Sequence, residues 1–338
     1  MSLRRLWKPA LLLAAALYVT VRLATGAAVA LVDTPFDGNR GSSADVTIAR
    51  GQSAAQIAAT LEGAGVVRNA HVLSWWMRYT GQAGRIHTGE YRFRGPASVR
   101  EVAAIITKGR VLLLAVTVLE GSTRWQVAEA LAAAEFGSHA DAWEATGATP
   151  LIADLDPEAP DLEGYLFPDT YFAPRSSNAR ELVGMMVSRF RQAWTPARRA
   201  RATELGLSVR EAVTIASLVE AETGLAEERP LVAGVYHNRL ARRMLLQCDP
   251  TLLYALRLEG RTDRNIRRSD FDNESPYNTY RVAGLPPGPI ASPGEASLEA
   301  ALWPAETEFL YFVGRNDGSH AFSRTLAEHN ANVNRYQR

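Results

Sequence analysis

The chain has 338 residues, 47% hydrophobic and 22% charged, with 37 basic against 36 acidic side chains and a net charge of +1. That length is enough to bury real cores in two or three domains, and the balanced charge gives no support for nucleic-acid binding. A single cysteine, Cys248, excludes an internal disulfide. The six histidines are scattered, with no HExxH pattern and no paired cysteines, so neither a zinc site nor any other cofactor is expected.

In chain order, Arg4, Arg5 and Lys8 precede the segment 9–32, which is apolar except for Arg22. Its length exceeds the roughly 20 residues that cross a bilayer. Arg22 costs roughly 3 kcal/mol at mid-depth, and the Leu and Val residues, at roughly 0.3–0.6 kcal/mol each, offset it. Residues 1–32 therefore read as a cytoplasmic N-terminus and a transmembrane anchor, with the positive flank inside and the body exported. A cleaved signal peptide is the alternative, because Ala28-Val29-Ala30 has the small-x-small form of a cleavage site.

A polar linker, 33–44, leads into a repeat. VTIARGQSAAQIAATL at 46–61 and VTVLEGSTRWQVAEAL at 116–131 align without a gap. Each reads as an alternating strand, a Gly turn, a capping Ser or Thr and an amphipathic helix. A looser copy at 91–109 has the strand YRF and a capping box at Ser98 and Glu101. Such units pair to bury their apolar faces, so a small α+β module is expected over 45–135. Its first copy resembles the LysM signature, whose modules bind N-acetylglucosamine-containing glycans; a purely structural platform is the alternative. Trp75 and Trp76 fit a core position or a sugar-stacking one.

The segment 138–161 is acidic and Pro-containing and reads as a connection. EGYLFPDTY at 163–171 is aromatic and rigid, and 178–205 is helical and rich in arginine. A second domain, mixed α+β, is expected over 136–338. Its chemistry centres on the apolar helix that carries Glu220 and Glu222. Ile215, Leu218, Val219 and Glu222 fall at i, i+3, i+4 and i+7, so Glu222 extends the most apolar stripe. Glu220 shares a smaller, more polar face and is expected to be structural. A carboxyl among Leu and Val loses hydration and its pKa rises, which makes a general acid. A solvated helix end stopped by Thr223-Gly224 is the plainer alternative. Further on, 259–273 reads as a polar loop, the Tyr-, Asn- and Pro-rich loops at 276–288 suit sugar hydroxyls, and Asn316-Asp317-Gly318 marks a terminal hairpin.

Taken together, ASLVEAETG at 216–224, VYHNRL at 235–240, LQCDPT at 246–251, YNTY at 277–280, GLPPGPI at 284–290, the LYFV...H.F tail at 310–322 and EGYLFPDTY resemble the YceG-like endolytic murein transglycosylases, the MltG family. The resemblance spans nearly the whole chain in the family's order. It implies a single-pass inner-membrane enzyme that cuts nascent peptidoglycan glycan strands internally, leaves 1,6-anhydro-N-acetylmuramic acid ends, helps to terminate glycan elongation and works near the peptidoglycan polymerases. It places the catalytic acid on Glu222. Cys248 stands where the family commonly has Thr or Ser, and reads as a tolerated replacement. Asn238, Arg239, Gln247, Asp249, Tyr277, Asn278 and Tyr280 are expected to line the groove, binding sugar or steadying Glu222. Two other readings stay open from the residues alone: a muramidase that uses water, with Glu220 or Asp249 as second carboxylate, and an anchored glycan-binding scaffold without catalysis.

Overall fold

The computed structural model describes residues 7–263 and 265–337, which separate into two compact units. The first holds the chain up to Leu114 together with Pro174–Ser176. It opens with helix α1 (Trp7–Asp33), within which Leu11–Asp33 is long and apolar enough to cross a membrane, with a mean hydropathy of 1.7. Strand β1 (Ser43–Ile48) pairs antiparallel with β2 (Gly89–Arg94), Val46 lying opposite Tyr91. Ala44, Val46 and Ile48 alternate inward from β1, and Tyr91 and Phe93 from β2.

Helices α2 (Ala54–Gly63), α3 (Ala70–Tyr79) and α4 (Val99–Thr107) cover that face with Ile57, Leu61, Leu73, Met77, Val102 and Ile106. Ser53 with Gln56 and Ser98 with Glu101 close full capping boxes at the starts of α2 and α4. Trp75 is 48% exposed and stacks on the exposed Tyr79 with ring centroids 5.3 Å apart, while Trp76 is half-buried under Arg100.

The unit boundary at 114/115 differs from the expected module end at 135. The strand of the 116–131 copy, β3 (Leu113–Val118), pairs with β4 (Asp169–Pro174), where the Thr117 and Thr170 hydroxyls meet at 3.0 Å. Its helix α5 (Arg124–Ala133) packs on α6 (His139–Ala145) and α7 (Ala179–Ala193). The copies that do pair are the first and the looser one, as β1 and β2. Helix α6 also lies inside the stretch expected to be a connection, started by a capping box of Ser138 and Asp141.

The second unit continues with α8 (Pro196–Glu204), α9 (Val209–Glu222), α10 (Arg229–Ala241), α11 (Asp249–Leu258) and α12 (Glu295–Leu302). It closes with the hairpin β5 (Tyr311–Gly314) and β6 (His320–Ser323), then α13 (Leu326–Tyr336). Helix α9 is the centre: α8, α10, α11 and α12 all pack on it. Every residue from Ala212 to Val219 is buried, so α9 has no solvated face for a stripe to oppose. Gly164 tightens this packing, because a Cβ there would stand 2.6 Å from Pro289 and 2.9 Å from Val213, at φ +82°. Two loops distant in sequence are thereby pressed onto α9.

Candidate active site

The two glutamates at the end of α9 are both drawn inward but meet different partners. The Glu220 side chain is 6% exposed, with Oε1 3.3 Å from Arg229 Nη2 and Oε2 accepting from Gly294 N at 2.8 Å. It is a paired, hydrogen-bonded carboxylate tying α9 to the starts of α10 and α12. Glu222 is half-buried and, among the described residues, no arginine or lysine pairs with it. Its Oε1 accepts from the Tyr236 hydroxyl at 3.0 Å, with the Cys248 side chain close by. Burial pushes the Glu222 pKa up; Cys248, the bond from Tyr236 and the charge of His320 oppose that rise, whereas Asp249 adds to it. What separates the two acids is therefore the partner, since both are drawn inward.

Each partner of Glu222 is held in its turn. Tyr236 sits on α10, 1% exposed, its ring edge-on to Phe312 of β5 at 6.1 Å. Cys248, also 1% exposed, is the N-cap of α11; its N–H donates to Thr279 Oγ1 at 3.0 Å, and the Thr279 and Thr251 hydroxyls meet at 2.8 Å. Burial and the Glu222 carboxyl raise the Cys248 pKa, so the thiol stays protonated as a weak donor.

The other expected groove residues divide into two sets. Asp249 is exposed and accepts from the half-buried Tyr280 hydroxyl at 2.5 Å, next to the Cys248 that touches Glu222. Gln247 is also exposed, in a left-handed conformation at φ +50°, with its Oε1 3.3 Å from Arg239 Nη1. Half-buried Tyr277 packs against Tyr254 at 4.9 Å. Asn238, Arg239 and Asn278 instead turn into the protein. Asn238 Nδ2 donates to the carbonyls of Thr307 and Phe309, at 2.7 and 3.0 Å. Arg239 is 7% exposed and donates to the carbonyls of Leu310, Leu245 and Leu246. Asn278 is fully enclosed, donates to the carbonyls of Phe271 and Asn273, and accepts from Tyr280 N at 3.1 Å. Arg239 and Asn278 brace the loops that carry Asp249 and Tyr280, and Asn238 braces the stretch before β5.

On the flank of α9, Glu220 and Ala221 line a cleft of about 580 Å³ with Tyr254, Arg257, Arg261 and Ile290. Tyr254 donates to Glu163 Oε2 at 3.1 Å. Glu163 is 3% exposed, also accepts from Arg124 N, and is pushed by burial to a pKa of about 8. Among the described residues no cluster of His, Cys, Asp and Glu is arranged to hold a metal ion.

A carboxyl at the end of a central helix, raised in pKa by burial and given a hydroxyl donor, is suited to general acid–base chemistry. The YceG-like family model matches residues 46–335, and the chain belongs to that family. It is 30% identical to a Bacillus subtilis protein named endolytic murein transglycosylase, over 89% of this chain and 87% of that protein. It is also 30% identical to a Streptococcus pneumoniae protein of the same name, over 88% of this chain and 59% of that longer protein. The crystal structure of a YceG-like protein from Listeria monocytogenes superposes with a TM-score of 0.59 at 30% identity, covering 86% of this chain and 98% of that one.

Proposed function

We propose that the chain is an endolytic murein transglycosylase in which Glu222 serves as both acid and base. The observation that carries this is the Glu222 carboxyl, raised in pKa by burial, accepting from the Tyr236 hydroxyl and, among the described residues, paired with no arginine or lysine. Family membership supports the reaction class. Protonated Glu222 gives its proton to the oxygen joining N-acetylmuramic acid to N-acetylglucosamine as the C1–O bond breaks. The muramic C6 hydroxyl then closes on C1, and the Glu222 carboxylate takes its proton. One proton leaves and one returns, no water is consumed, and a 1,6-anhydro end results. Between the steps, the Tyr236 hydroxyl and Cys248 thiol stabilise the carboxylate.

Gln247, Asp249, Tyr277 and Tyr280 are proposed to meet sugar hydroxyls, with Arg239 and Asn278 holding them in place. Helix α1 is proposed as a single-pass inner-membrane anchor that leaves both units outside the cytoplasm, near nascent strands and their polymerases, so that cuts help to terminate elongation. The LysM-like copies of the first unit are proposed to hold glycan, a reading supported by the exposed Trp75–Tyr79 stack.

Digestion of purified peptidoglycan in H2(18)O tests the reaction. A transglycosylase places no heavy oxygen at the new muramic ends. One heavy oxygen per cut would establish a muramidase instead.

A further inference from the structure

A second layer of residues converges on Glu222 from outside the candidate groove. Glu228 precedes α10 as its N-cap, yet its side chain makes no cap bond there. It is 7% exposed, and both its oxygens are occupied. Oε1 accepts from the backbone N–H of His320 at 2.8 Å; Oε2 accepts from His320 Nδ1 at 2.6 Å and from the Thr223 hydroxyl at 3.3 Å. Thr223 is itself 3% exposed, follows Glu222 directly and accepts from Leu225 N at 3.1 Å. One carboxylate thus joins the end of α9, the start of α10 and strand β6.

A second path closes the circuit. The His320 ring stands edge-on to Phe312 at 5.4 Å, and Phe312 stands edge-on to Tyr236, which donates to Glu222. The groups facing Glu222 are Tyr236 from α10, Cys248 and Asp249 at the head of α11, Tyr280 from the loop before α12, and His320 from β6, the last itself faced by Glu228. A buried carboxylate that only braced the hairpin would not need the hydroxyl beside the acid.

We propose that Glu228 and His320 are positioning residues for the transglycosylase reaction: they fix Thr223, and through it the Glu222 carboxyl, in register with Tyr236, and set an imidazole against the Phe312 ring that backs Tyr236. This rests on the reading of Glu222 given above. An acid that must donate and then recover one proton needs its carboxyl aligned to both sugar oxygens, and loss of alignment lowers turnover more than binding. His320 in its cationic form favours the Glu222 carboxylate, so removing it leaves the acid protonated to higher pH.

The test uses the full chain in detergent with purified glycan strands, comparing wild type with Glu222→Gln, Thr223→Val, Thr223→Ser, Glu228→Gln and His320→Gln, each checked for folding by thermal melting. Thr223→Val is expected to lose about tenfold in kcat with KM little changed, the worth of about one hydrogen bond. Thr223→Ser should restore the rate, and Glu228→Gln should match the Val variant. His320→Gln keeps a donor for Glu228 but no charge, and should move the high-pH limb of kcat/KM upward. Thr223→Val and Thr223→Ser turning over alike, with an unmoved limb in His320→Gln and an inactive Glu222→Gln, would overturn the positioning role alone. An active Glu222→Gln would overturn the acid itself.

Discussion

Replacing Tyr236 by Phe isolates the hydroxyl that donates to Glu222 Oε1 at 3.0 Å. The ring is 1% exposed and packs edge-on against Phe312, contacts that Phe keeps. A hydrogen bond to a charged group is worth about 1.5–3 kcal/mol, and less of that is felt by the neutral acid. At about 1.4 kcal/mol per pKa unit, a difference near the lower figure amounts to about one unit. The bond favours the charged form, so its loss adds to the rise that burial already causes. Since the acid must be protonated in the free enzyme, the descending limb of kcat/KM moves to higher pH by about one pH unit. The carboxylate formed after proton donation loses the same support, so kcat falls about tenfold. Initial rates on purified glycan strands between pH 5 and 9, with soluble fragments quantified by chromatography, read both effects. A limb that stays in place, or moves to lower pH, refutes the reasoning.

Cys248→Ser should act with the opposite sign: a hydroxyl donates more strongly than the thiol beside Glu222, so the same limb moves to lower pH in the same assay. Glu220→Ala removes the partner of Arg229 and the acceptor for Gly294 N, so it should cost about 3 kcal/mol of stability by denaturant titration, while the folded fraction keeps its chemistry. Glu163, held by burial at a pKa of about 8 in the folded chain against an ordinary 4.5, binds a proton on folding. Its contribution is fully present below pH 4.5 and is lost as pH rises through 8, so Glu163→Gln should flatten the fall of Tm across that window in scanning calorimetry.

How much of this was legible in the sequence depends on range. The capping box of Ser98 and Glu101, the hairpin around Asn316-Asp317-Gly318 and helix α9 are written in neighbouring residues, and each formed where local chemistry placed it. The repeat does not tell which copies pair, because identical local patterns do not choose their partners. β3 pairs with β4, some fifty residues away, where nothing local to the repeat points. Periodicity also distinguished Glu222 from Glu220 on a ground that the fold does not use. Helix α9 is buried all round from Ala212 to Val219, and both acids are drawn inward. Their difference lies in Arg229 and Gly294 N on one side and Tyr236 and Cys248 on the other. Tyr236, Thr279, Glu228 and His320 were not singled out for that reason: each acts through a contact across elements, although Tyr236, Thr279 and His320 lie inside the VYHNRL, YNTY and LYFV...H.F motifs.

The central claim is that one carboxyl cuts glycan strands internally without water. Mass spectrometry of fragments released from purified peptidoglycan by the full chain, beside Glu222→Gln, tests it most directly. Internal fragments with 1,6-anhydro-muramic ends are expected from the wild type and none from the variant. Reducing ends from the wild type, or anhydro ends from both proteins, would contradict it.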